Sequence, residues 1–121
     1  MKNQPFARRL SFALAGLRIA WRTESSFKVH AIAAGAVFGV LLWLRPVPLW
    51  WALAALTVAF VLAAELVNTA VEGLADRLHP EQHPAIKIVK DCAAAAVLVA
   101  GIAALGVAAA FLYDLAAGVT P

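Results

Sequence analysis

The chain reads as an all-α membrane protein: an N-terminal amphipathic surface helix followed by three transmembrane helices. Three observations carry that reading. The 121 residues are 64% hydrophobic and only 14% charged, against about 25% charged in soluble domains. The uncharged runs Pro46–Ala64 and Cys92–Tyr113 are long enough for bilayer helices. The basic residues flank those runs. Six of the ten Lys and Arg precede residue 30 and three lie between 77 and 90. No basic-aromatic surface for reading bases accompanies them, which argues against nucleic acid as a partner.

Taken in order, residues 5–25 are expected to form the surface helix. Phe6, Leu10, Ala13, Leu14, Leu17, Ala20 and Trp21 share one face, and Arg8, Ser11, Arg18 and Arg22 the other. A basic amphipathic helix with a Trp suits the plane of a membrane surface, with Arg18 and Arg22 as headgroup anchors. A cleavable signal is not expected, because some thirty mixed residues precede the first apolar run.

The first span is expected over 29–44, with His30 as an interfacial cap. Arg45-Pro46-Val47-Pro48 signals a turn, and Leu49, Trp50 and Trp51 form an aromatic belt beside it. A second span follows over 49–72, its helix continuing to about 77. His79 to Pro84 is a proline-punctuated loop whose two histidines read as solvated rather than as metal ligands. The third span is expected over 91–113, with Ala94, Gly101, Ala104 and Gly106 permitting close helix approach. Cys92 is alone, so no internal disulfide forms, and it reads as a small packing residue. The positive-inside rule puts the N-terminus and the 77–90 loop in the cytoplasm, and Arg45 and the C-terminus outside.

The stretch that carries chemistry closes the second apolar run. At 100° per residue, Glu65, Glu72 and Asp76 fall within about 40° of one another, with Asn68 and Thr69 flanking them. A charged side chain deep in a membrane helix costs about 2.5–3.5 kcal/mol even on lenient scales, so this face reads as a site. Hard oxygen ligands beside lysines suit Mg²⁺ and substrate phosphates, and phosphoryl transfer needs a base, a cation and basic groups together. Intramembrane acids also serve proton or ion transport, so that class stays open. No GxxxxGK[ST], GxGxxG or protein-kinase signature is present.

Glu65-Leu66-Val67-Asn68-Thr69-Ala70-Val71-Glu72 with Asp76, then Lys90-Asp91-Cys92-Ala93-Ala94-Ala95-Ala96-Val97, resembles the signature of the small bacterial diacylglycerol kinase family. That pattern reads E-x-x-N-[ST]-A-[IV]-E-x-x-x-D, then K-D-x-[AG]-[AS]-A-A-V. Phe12 to Trp21, with Glu24, Phe27 and Lys28, resembles the family's N-terminal block, so the similarity covers about residues 6–113. The resemblance implies one integral-membrane lipid kinase domain over 1–121, multi-pass in the bacterial cytoplasmic (inner) membrane. It also implies a homotrimer with active sites shared between subunits. Carried over by position, Glu65 is the catalytic base. Glu24 and Glu72 hold the metal on ATP, with Asn68 close by. Lys90 contacts phosphate, Asp91 supports the nucleotide, and Asp76 sits at the rim.

Diacylglycerol is the expected acceptor, giving phosphatidic acid. Undecaprenol is the alternative, since Phe27-Lys28-Val29-His30 and the His83-Pro84 loop resemble the undecaprenol-phosphorylating branch. Two bland pairings compete with the site roles: Glu24 with Lys28, and Lys87 with Asp91, each four residues apart on a helix. Other readings of the chain are a small ion- or proton-handling protein and an inactive structural subunit. Self-association also has a physical argument, because one chain's three spans are not expected to shield so many polar groups on one helix.

Overall fold

A computed structural model describes residues 2–118. Its elements are α1 (Phe6–Thr23), α2 (Ser25–Leu44), α3 (Pro48–Leu78) and α4 (Pro84–Ala116), with no strand among the described residues. The last three are long and apolar enough to cross a membrane. The all-α architecture of one amphipathic helix and three spans is therefore present. At 1.5 Å per residue α2 is about 30 Å long, which matches a hydrocarbon core, whereas α3 and α4 reach about 46 and 50 Å. The excess must leave the lipid. Charge marks where: Glu72, Asp76 and Arg77 close α3, and Lys87, Lys90 and Asp91 open α4.

A single residue separates α1 from α2. Glu24 is extended (φ −112°, ψ 106°), yet its N–H donates to Ala20 O at 2.9 Å and its carbonyl accepts from Lys28 N–H at 3.2 Å. Thr23 Oγ donates back to Ile19 O at 2.8 Å, a local bond that favours ending the helix there. Helical structure thus resumes at Ser25, four residues before the apolar span begins. Hydropathy marks where a helix enters lipid, not where its hydrogen bonding starts. The break lets α1 pack against α2 and α3. Ala20 and Phe27 are buried near the junction, while Phe6, Leu10 and Leu14 stay exposed along the apolar face of α1.

Arg45 ends α2 in the left-handed region (φ 52°, ψ 55°), where its N–H caps Leu41 O at 2.8 Å. Pro48 then takes the first position of α3, where a missing N–H is harmless. Aromatic pairs clamp this end of the bundle. Phe38 stacks on Trp51 at 6.1 Å, and Trp50 meets Phe111 edge-on at 5.2 Å.

The most extensive packing joins α3 to α4, and α2 lies on α3. The covered positions of α4 (Ala93, Val97, Ala100, Ala104, Val107, Phe111) alternate in steps of four and three. On α3 the same alternation joins Ala54, Val58, Val61, Glu65, Asn68, Glu72 and Ala75. This 3.5-residue repeat is the inward-facing seam of each helix. Small residues on it let the backbones approach. No backbone contact joins α2 to α4. Between them runs an apolar groove of about 530 Å³, floored by Val58, Val61 and Leu62 of α3.

A prediction follows for Arg45. A β-branched residue at positive φ is strained, so Arg45→Val is expected to lower stability by about 1–2 kcal/mol, read from reversible unfolding in micelles. Unchanged stability would remove the left-handed turn from the account.

Candidate active site

The polar positions of α3 sit on its packing seam, and each meets a different fate. Glu65 is the only buried charged residue among those described, at 3% exposure. Its Oε2 accepts from Ser26 Oγ at 3.2 Å, and its Oε1 lies 2.8 Å from His30 Nδ1. That second approach is close but not aligned as a hydrogen bond, and Nδ1 is buried with no better partner. The first turns of α2 therefore cover the carboxylate within one chain. Shielding of Glu65 itself requires no neighbour, while Glu72 stays half-buried and Asp76 exposed.

One turn further, Asn68 Oδ1 is buried and has no hydrogen-bond donor. A buried acceptor left unpaired costs about 1–3 kcal/mol, so a ligand that engages it recovers that loss. Glu72 follows, half-buried, close enough to Lys90 to act on its charge. Lys90 Nζ donates to Asp76 Oδ1 at 2.5 Å, which ties α4 to the emerging end of α3. Glu72, Asp76 and Lys90 thus form one group from two helices.

Two expected site residues lie apart from that group. Asp91 accepts from Lys87 Nζ at 2.5 Å, the exposed pairing one turn back. Glu24 is half-buried at the α1–α2 junction and makes no ion pair among the described residues. Lys28 does not neutralise it. That ammonium lies over the Trp21 ring instead, 5.5 Å from its centroid.

In the loop, His83 Nδ1 accepts from Ala85 N–H at 3.0 Å and so caps α4. His79 Nδ1 donates to Glu81 O at 2.9 Å, and the two rings meet edge-on at 5.6 Å. Among the described residues no three His, Cys, Asp or Glu side chains converge on one point. A hard cation held here by two carboxylates and the free oxygen of Asn68 would complete its shell with phosphate oxygens and water, as Mg²⁺ commonly does.

Sequence reasoning missed Ser26, and it read His30 as an interfacial cap without its contact to Glu65. The available signal was their spacing. They lie four residues apart on α2, at the level where α3 carries its first acid.

The orphaned oxygen of Asn68 yields a stability prediction. Asn68→Leu removes an unpaired buried acceptor and breaks no hydrogen bond, so the fold is expected to lose less than about 1 kcal/mol or to gain. Unfolding in micelles checks this, and a loss of several times that size would mean that Asn68 is structural.

The prokaryotic diacylglycerol kinase model matches residues 11–112 of this chain. A diacylglycerol kinase of Escherichia coli is 32% identical over 94 residues, 78% of this chain and 77% of that protein. One from Synechocystis is 39% identical over 95 residues, 78% of this chain but 54% of the relative, so the match spans about half of that longer protein. An undecaprenol kinase of Bacillus subtilis is 40% identical over 94 residues, 74% of each chain. The pattern of acids, amide and lysine described above falls inside the matched region, and the chain belongs to the prokaryotic diacylglycerol kinase family of membrane lipid kinases.

Proposed function

We propose that the chain transfers the γ-phosphoryl group of Mg-ATP to the hydroxyl of diacylglycerol, giving phosphatidic acid and ADP. The observation that carries this reading is a buried carboxylate, Glu65, on the same seam as the Glu72–Asp76–Lys90 group. In that reading Glu65 accepts the hydroxyl proton as the lipid oxygen bonds to the γ-phosphorus. The bond from that phosphorus to the bridging oxygen breaks, and ADP leaves with its electrons.

Glu72 and Glu24, the latter drawn in from the α1–α2 junction, would hold the cation, with the unpaired oxygen of Asn68 one turn from Glu72. Bound Mg²⁺ supplies charge neutralisation on the phosphates. Lys90 exchanges its Asp76 partner for phosphate, Asp76 stays at the rim, and Asp91 supports the nucleotide from the next position of α4. The polar ends of α3 and α4 face the cytoplasm at the inner membrane, as does the N-terminus, following the basic residues there. The whole chain works as one domain and assembles as a homotrimer, in which a neighbour completes the site around the half-buried Glu72.

Undecaprenol is the second reading. The Bacillus subtilis undecaprenol kinase, at 40% identity, is as similar to this chain as the Synechocystis diacylglycerol kinase at 39%. Either lipid presents one primary hydroxyl and a hydrocarbon tail. The groove between α2 and α4, lined by apolar side chains apart from His30, suits such a tail.

The test is Mg²⁺-dependent phosphate transfer from ATP in mixed micelles, with diacylglycerol and undecaprenol offered separately. Glu65→Gln is expected to stay folded and lose about 10²–10⁴-fold in kcat. Transfer to undecaprenol alone would replace the acceptor, and transfer to neither by the folded protein would move the chain to ion handling or a structural role. Glu72→Gln is expected mainly to raise KM for Mg-ATP, and equal nucleotide affinity in that variant would rule out its metal role.

A further inference from the structure

Glu65 is held from outside its own helix, and by nothing on α3. Its side chain has three torsions, and a base must keep its reactive oxygen within roughly 0.5 Å of the productive position. Burial alone does not supply that order. Ser26 and His30 do, since they engage different oxygens of the carboxylate from one face of α2. They are four residues apart on consecutive turns, so the Ser26 hydrogen bond and the close approach of the His30 ring bear on opposite oxygens of the carboxylate. His30 is also the one polar side chain lining the groove between α2 and α4, which puts it between that apolar space and Glu65.

We infer that Ser26 and His30 are positioning residues that act through Glu65, orienting its carboxylate for proton abstraction. The inference rests on Glu65 being the base. Neither residue needs to touch ATP, so their loss should appear in turnover and not in nucleotide affinity. A mere brace between α2 and α3 would act differently. It would be replaceable by any well-packed side chain, and its loss would show in stability.

The experiment measures kcat, KM for Mg-ATP and unfolding in micelles for five full-length variants: His30→Leu, His30→Gln, Ser26→Ala, Glu65→Gln and the double variant His30→Leu/Glu65→Gln. His30→Leu is expected to lose about tenfold or more in kcat, with KM for Mg-ATP within about twofold of the parent. His30→Gln keeps a side-chain N–H and should recover part of that loss. Ser26→Ala, which removes one hydrogen bond and little volume, should lose a few-fold and carries the test if His30→Leu does not fold. Because His30 acts through Glu65, the double variant should turn over no more slowly than Glu65→Gln.

Parent-like kcat in folded His30→Leu and Ser26→Ala would overturn the inference. So would equal losses in His30→Leu and His30→Gln that track their unfolding midpoints, or a multiplicative loss in the double variant. Parent-like kcat in Glu65→Gln would instead sink the base assignment, and the two failures are thereby separated.

Discussion

The structure depends on one constraint: a carboxylate on a membrane helix must be covered, and here α2 covers it. An isolated ionised carboxylate is expensive in lipid, and the penalty falls only if other polar groups replace water around it. Ser26 and His30 supply those groups to Glu65. To do so, α2 must be helical and seated on α3 from its first turn. Glu24 meets that requirement by ending α1 and starting α2 within a single extended residue. The surface helix, the break and the first span are therefore parts of one arrangement.

The second organising feature is the inward-facing seam of α3. Its 3.5-residue repeat is apolar and small through the middle of the bundle, then continues into Glu65, Asn68 and Glu72 without changing phase. Polar groups thus sit at positions that geometry turns inward. Because α3 and α4 outrun the hydrocarbon thickness, the same seam passes from lipid into the interface, where Asp76 and Lys90 pair across it. The opposite end is closed by Phe38, Trp50, Trp51 and Phe111 in aromatic pairs, which carry no charge and need none. Anchored there, the bundle carries its polar seam residues at the other end.

The outer faces are apolar. Leu98, Val99, Leu105 and Leu112 of α4 are each more than half exposed, and no residue of α4 is fully buried. In a bilayer such faces are satisfied by lipid tails or by another copy, with no hydrophobic preference between the two. Any drive toward assembly must therefore come from polar groups. Asn68, with its unpartnered oxygen, and the half-buried Glu72 are where such a drive would act.

Much of this was legible in the residues themselves. Hydropathy marked the three spans, the proline pair marked the turn at 45–48, and the periodicity of Glu65, Asn68 and Glu72 placed them on one face, because helix geometry converts spacing into direction. Nothing local distinguished Glu24 as a break, since one extended residue leaves no compositional trace. Nor did local pattern choose between pairings of opposite charges. Lys87 took Asp91 while Lys28 left Glu24 for the Trp21 ring, and Lys90 reached fourteen positions back to Asp76. By itself the sequence determined which elements form, which of their faces are polar and which family the chain resembles, because these follow from composition and period. Only the tertiary structure decided that Ser26 and His30 would be the partners of Glu65, because that contact depends on the register of α2 against α3, a quantity no stretch of sequence contains.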